Sequence, residues 1–471
     1  MDLLTPLALA GAVTILLVSL WRSKLSKVLT WEGGSKKAEP TSTTNSQKIE
    51  EIKALAECHE TAAVVAEMIH KDGAGSWPPR ANHADSTWPA PLRTYKEIYF
   101  ELAPLLPKAT ASIDDDVNRQ LVADFRARFA KLLRDRIDLP QVIKLLQAAE
   151  AGRWDVIPRD TYNAFYCCIA SCRHAYRWAT IPVVKVAQLE KVVHLPPELV
   201  EPWTYLQRQF GCDSDAGNNT SNLVLNFDHR GNHVFKINTG MAPIVTQGEE
   251  GFARIFYDVE FLGVSIYHDL VLATISWARG DKQATLRHMS GITAQLRPLL
   301  GSYYDNMHDQ KIAQSVWLSR VQGFFGWGVG YIDEASNEWV KFDGLSGNQV
   351  PLFQALDAFL GIEQYLSDLD MRRNVPTRQR ALSVAFRKHT FRHFLNLNDD
   401  IEARIAAEFN EIAKRLRLFR SAHRGRAKVY LTYPAPERLP MTAGKSLLKE
   451  NIDDSFEFLD GFMVRRLTQT V

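Results

Sequence analysis

Apolar residues recur every three or four positions along most of this chain, the spacing that gathers them on one face of a helix. The pattern predicts helices over residues 49–69, 115–139, 141–151 and 162–178. A longer stripe runs through Ile401, Ile405, Phe409, Ile412, Leu416 and Phe419, and its next step of four lands on His423. Period-two alternation is confined to residues 222–238, where two runs flank a turn at 228–231 and predict a hairpin. No internal repeat interrupts the pattern. The expected fold class is all-α.

Two stretches stand outside it. Residues 3–21 are apolar and carry no charge. At a rise of about 1.5 Å per residue such a helix covers most of a hydrocarbon layer of roughly 30 Å. Asp2 precedes it, and Arg22, Lys24 and Lys27 follow. A cleaved secretory signal has the opposite charge order, whereas positive charge behind a span keeps the body cytosolic. Residues 31–48 are polar, rich in Gly, Ser, Thr and Pro, and without apolar period, as in a tether. The expected organisation is an anchor over 1–30, a linker over 31–48, a small helical domain over 49–220 and a large one over 221–471. The Gly/Asn-rich stretch at 211–219 and the hairpin after it mark the last boundary. The expected location is a membrane, that of the endoplasmic reticulum, with a single N-terminal pass through residues 3–21 and a cytosolic body.

Composition narrows the function. The 471 residues hold 56 Lys plus Arg against 54 Asp plus Glu, a net charge of +2, with 46% hydrophobic and 23% charged residues. That is an ordinary globular balance without the basic excess that phosphate binding needs, so no nucleic-acid partner is expected. Five cysteines, an odd number, fit a reducing compartment. The Asn-x-Ser/Thr sequons beginning at Asn218 and Asn219 would go unused there. Cys167, Cys168 and Cys172 share one helical window without a CxxC pair or matching His, which makes them core residues. No P-loop, GxGxxG, GxSxG or HExxH motif is present. The glycines at 323–330 sit among aromatics and suit close packing or a turn.

His423 is the exception among thirteen histidines, because it ends a buried stripe. The plain alternative is a hydrogen-bonded core imidazole. Arg420 lies three residues earlier on nearly the same face, able to hold an anion beside whatever His423 touches. No second His, Cys or carboxylate follows at ligand spacing, which disfavours zinc. One axial imidazole with an arginine for a propionate is what a haem needs.

Several segments, in order, resemble the indoleamine 2,3-dioxygenases. These are Ala175-Tyr176-Arg177-Trp178 with His194-Leu195-Pro196-Pro197, the Gly344 to Gln349 loop running into Phe353-Gln354-Ala355-Leu356-Asp357, and Met371-Arg372-Arg373 with Pro376 and Arg380. Arg420-Ser421-Ala422-His423 matches the family's arginine and proximal haem histidine, and Thr442-Ala443-Gly444-Lys445-Ser446 its mobile loop. The likeness covers roughly residues 165 to 450. It implies a small helical cap on a large helical domain that binds haem b, with iron held by His423. It also implies an oxidoreductase using O₂ to cleave the C2–C3 bond of tryptophan or a tryptophan-derived indole, giving an N-formylkynurenine-type product, in secondary metabolism. The same fold could instead support a haem mono-oxygenase on another aromatic or amino-acid-derived substrate, or a haem sensor without turnover.

The resemblance carries roles residue by residue. Arg420, Ser346 and Gly347 would meet the haem, and Arg320, Phe256, Val259, Glu201 and Thr442 the substrate. No catalytic residue is assigned beyond the iron. Several pocket positions depart from the family. Glu201 replaces a tyrosine, Ala443 replaces a glycine, and Arg320 stands one residue too far from Gly326-Trp327. Asp258 and Glu260 fall on the distal helix, either facing solvent or buried and neutral. His393 ranks behind His423 as a ligand, since it lacks the Arg-x-x-His pattern. The drift of pocket positions beside intact proximal ones points to an altered substrate.

Overall fold

The computed structural model describes residues 42–182, 184–332, 336–341, 344–431 and 452–470. The apolar span over 3–21, the linker up to residue 41 and Thr442 lie outside the described residues. Helices α1 (Ser42–Ala54), α2 (Glu60–Lys71), α3 (Ala90–Leu102), α4 (Asp115–Arg136), α5 (Leu139–Glu150), α6 (Arg159–Trp178) and α7 (Pro197–Phe210) come first. They are followed by α8 (Pro243–Ala278), α9 (Lys282–Asn306), α10 (Pro351–Phe359), α11 (Asp368–Asn374), α12 (Thr377–Lys388), α13 (Asp400–Leu431) and α14 (Ile452–Gln469). Short helical turns join them. The all-α expectation holds, with one two-stranded antiparallel sheet, β1 (Gly330–Ile332) on β2 (Trp339–Lys341), among the described residues.

Local chemistry sets the helix boundaries. Asp114, Asp138 and Asp281 accept amide hydrogens at the starts of α4, α5 and α9, supplying acceptors for orphan N–H groups. The apolar period over 49–69 is split in two because the His59 Nδ1 accepts from the Thr61 amide at 3.2 Å and caps a new helix, α2. α1 begins at Ser42, inside the stretch expected as linker, and is tied to α8 through Asn45, Lys48 and Glu51.

The 36-residue α8 and the 25-residue α9 form an antiparallel pair that turns at Gly280, whose φ is +74°. α13 lies along α9, and α10 packs against α8 and α12. At Gly263 an added Cβ would fall 2.8 Å from the Leu352 side chain, so the glycine lets α8 and α10 approach closely. α8 is the one helix among the described residues long and apolar enough to cross a membrane by length and composition, but most of its apolar stretch is buried in the protein. It is a core helix. α6 is buried from Thr161 to Trp178, and its three cysteines are unpaired core residues.

The hairpin expected at 222–238 is cut down to its turn at 228–231, closed by backbone bonds from the Asp228 amide to the Asn232 carbonyl and from the Val234 amide to the Asn226 carbonyl, both 3.0 Å. Residues 219–222 and 224–226 are helical turns, and only an isolated bridge joins Phe227 to His233. Side chains replace the missing strand partners. Asn226 Oδ1 accepts from the Phe235 amide at 2.7 Å, and the buried Glu249 accepts from the Ile237 and Asn238 amides at 2.8 Å. Alternating apolar residues here record burial of a coil rather than a ladder.

Glu260 resolves the two readings of the distal carboxylates. It is 1% exposed and accepts from Trp77 Nε1 at 2.7 Å, Tyr267 Oη at 2.9 Å and the Leu352 amide at 3.1 Å. The last contact places its charge at the N-terminus of α10, which has no side-chain cap of its own. Burial pushes its pKa up to about 7. Asp258 is half-buried and accepts from Asn306 Nδ2 at 2.9 Å. Burial raises its pKa too, and neither carboxylate reaches the cavity described next.

Candidate functional site

The stripe on α13 enters the core through Ile405, Phe409, Ile412 and Leu416, all at 0% exposure. One turn later Phe419 and His423 emerge on the wall of a cavity of about 320 Å³, a size typical of small-molecule and cofactor sites. α8 contributes Phe252 and Phe256, α9 contributes Tyr303 and Met307, and α10 contributes Phe353 and Asp357. Trp317 lines the cavity from the first residue of a π-helical turn, Trp317–Gln322.

Aromatic rings hold His423. The Tyr303 ring lies edge-on at 5.9 Å and the Phe419 ring is stacked at 6.2 Å, while Phe353 stacks on Phe419 at 5.1 Å. The imidazole is partly open along the cavity, yet its Nδ1 is shut from solvent and has no hydrogen-bond partner among the described residues. Burial pushes its pKa down to about 4, so the ring is neutral at pH 7 and keeps a lone pair for a metal. An unsatisfied buried nitrogen costs stability unless something binds it.

Ser346 and Gly347 line the same cavity. Ser346 Oγ accepts from the Asn348 amide and opens a 3₁₀ turn, Gly347–Gln349, and the Ser346 carbonyl accepts from Asn219 Nδ2. A Cβ on Gly347 would meet no protein atom within 4 Å, so the space beside it is open to a ligand. Arg420 also lines the cavity, with Nη2 at 2.7 and 2.8 Å from the two Asp357 oxygens.

The structure therefore gathers His423, Arg420, Ser346, Gly347 and Phe256 around one space. It does not bring the other expected substrate residues there. Val259 is buried in the core, Glu201 is exposed on α7, and neither lines the cavity. Arg320 is also outside the lining; its Nη1 donates to the Pro107 carbonyl at 3.2 Å. Thr442 lies outside the described residues. His393 is outside the lining as well.

Sequence reasoning passed over Tyr303, Trp317, Asp357, Met463 and Arg466, all of which line the cavity. Asp357 was readable as part of a motif but not as a partner of Arg420. Arg466 carried no signal, since it stands one helix beyond its partner.

A haem fits these residues. Among the described residues no group of three or more His, Cys, Asp or Glu is placed to hold a metal ion, so a bare metal centre has no ligand set. A single neutral imidazole with an unsatisfied nitrogen, an aromatic wall and cations at the rim is the set a haem requires.

The comparisons agree. A family model described as indoleamine 2,3-dioxygenase matches residues 158–457. Among curated proteins none matches the chain. The family model covers well over half of the chain, which belongs to the indoleamine 2,3-dioxygenase family: a haem-dependent oxidoreductase with haem b as its cofactor.

Proposed function

We propose that this family member cleaves the C2–C3 bond of tryptophan or a tryptophan-derived indole. Both atoms of O₂ enter an N-formylkynurenine-type product, so no external reductant is consumed. The observation that supports this most directly is the unpartnered, neutral His423 imidazole on an aromatic cavity wall. When bound, haem supplies the iron at which O₂ is activated, and the chain supplies everything around it.

His423 would hold the iron, and Tyr303 and Phe419 keep its ring from rotating. Arg420 would face the anionic edge of the cofactor. Phe252, Phe256 and Trp317 offer an apolar surface that excludes water and suits a flat indole ring. Ser346 and Gly347 leave room for close approach of the backbone. Arg320 points to Pro107, so ring recognition by the apolar wall is the better supported basis for selectivity.

The test is the absorption spectrum of the purified protein beside His423→Ala, followed by O₂ uptake with a panel of indoles. A Soret band that shifts with CO on reduction in the wild type alone, with uptake matched by a formylkynurenine-type product, is expected. A haem-loaded protein that consumes no O₂ with any indole would favour a sensor. An oxygenated indole with its ring intact would favour a mono-oxygenase.

The apolar residues 3–21 support a membrane location for this activity, with the body on the cytosolic side. Tethering suits a lipophilic indole. Fractionation of cells expressing the chain with and without residues 1–30 tests this, and a body that stays in the membrane pellet after deletion would refute it.

A further inference from the structure

Asp357 on α10 is 5% exposed and faces two guanidinium groups. One is Arg420 on α13. The other is Arg466 on α14, whose Nη2 donates to Asp357 Oδ2. Among the described residues one carboxylate stands between two arginines, which leaves one positive charge there without a carboxylate of its own, in a partly buried place where such charge is costly. Both arginines line the cavity that holds His423.

The second guanidinium is positioned with care. Arg466 Nη1 donates to the Glu363 carbonyl at 3.1 Å, and its guanidinium carbon lies 4.9 Å from the Tyr365 ring centre. The helix that carries it is fastened to α13 at two points. Arg424 pairs with Asp460 at 2.5 and 2.6 Å, and Arg420 Nη1 donates to Thr470 Oγ1 at 2.5 Å. Met463, one turn before Arg466, also lines the cavity. Residues 458–469 of this helix lie beyond those matched by the family model.

We infer that α14 is a strap whose Arg466 shares with Arg420 the binding of the carboxylate edge of the haem, with Asp357 holding both guanidiniums in place. An incoming carboxylate would neutralise the surplus charge, and two planar forks give it more than one donor pair. Arg466 is thus a cofactor-binding residue, and α14 the element that presents it.

The inference rests on the haem reading, and its test separates the two. The full chain is loaded with haem or with haem dimethyl ester, which lacks the carboxylate charges, and loss of each to an excess of a haem-scavenging globin is timed. The wild type should release the ester at least about tenfold faster than haem, the effect of losing charge-assisted hydrogen bonds. Arg466→Met, which keeps most of the packing, should release haem about tenfold faster and the ester at an unchanged rate. Arg466→Lys should fall between.

Equal acceleration for both probes would reduce Arg466 to packing and overturn the inference, as would no acceleration at all. A wild type that treats haem and ester alike would overturn it even if the Met variant does not fold. A wild type with no Soret band would sink the haem reading itself, and this inference with it.

Discussion

Two histidines in this molecule are shifted alike by desolvation and differ in bonding and in access, His174 being fully buried and His423 partly open to the cavity. His174 sits in the last turns of α6, and His423 in the last third of α13. Burial pushes the pKa of each down to about 4. The two ring nitrogens of His174 lie 2.9 Å from the Phe324 and Ala216 carbonyl oxygens, and the neutral ring donates its one N–H to one of them. His423 has rings around it and no partner for Nδ1 among the described residues. Desolvation by itself therefore does not mark a functional imidazole. Nor does an orphaned nitrogen, since among the described residues Nδ1 of His83 and of His233 has no hydrogen-bond partner either; what sets His423 apart is its place on the cavity wall. His174 serves as a strut between segments, and His423 is held ready for a ligand that the protein does not provide.

That contrast is broken most sharply by removing each ring. His423→Ala should abolish the Soret band, while the unfolding free energy of the haem-free protein changes by less than about 1 kcal/mol, because lost ring packing is offset by removing an unsatisfied nitrogen. His174→Ala should do the reverse, losing about 3 kcal/mol of stability in urea unfolding while the folded fraction still takes up haem. Haem titration and urea unfolding on the two variants check both halves. The contrast fails if His174→Ala loses the Soret band while remaining fully folded.

The sequence revealed one of these histidines and not the other for a physical reason. His423 continues a stripe stepping by three and four, so its position on a buried face follows from helical period alone. Arg420 follows from the same geometry. His174 lies within a helix buried on every side, where the apolar period predicts the helix but gives His174 no distinction from its neighbours. Partners distant in sequence were invisible for a different reason. Asp357 and Arg466 meet Arg420 only through the packing of α10, α13 and α14, and no local spacing encodes that meeting. The shortened hairpin at 222–238 shows the opposite error, in which the turn and period two were real but caps by Asn226 and Glu249 stand where a longer ladder was expected.

Glu260 extends the comparison to a buried carboxylate whose oxygens are all partnered. Burial raises its pKa to about 7 from an ordinary carboxylate value, so the folded state holds its proton at pH values where the unfolded chain has already lost it. Stability should fall as pH rises from about 4.5 to about 7 and then level off, by up to about 3 kcal/mol from this group. Asp72, also raised to about 7 by burial, adds a slope of the same sign. Glu260→Gln should flatten part of the profile and leave the Asp72 part. Urea unfolding between pH 5 and 8 reads the difference, and identical slopes in wild type and variant would show that Glu260 is ionised throughout.

The smallest expected effect lies at Gly347, and it tests whether the open side of the site belongs to a ligand. A methyl group there meets no protein atom within 4 Å, and the residue is exposed. Gly347→Ala should therefore move the unfolding free energy by no more than about 0.5 kcal/mol. If the space beside it is where cofactor and substrate approach the backbone, the same methyl should weaken indole binding several-fold, read as a smaller spectral shift at a fixed indole concentration. A bulkier Gly347→Val should deepen that loss with stability still near the wild-type value. The opposite pairing, lower stability with unchanged indole binding, would mean that the loop at 346–349 is only a turn. The functional wall would then end at the aromatic rings of α8, α9 and α13.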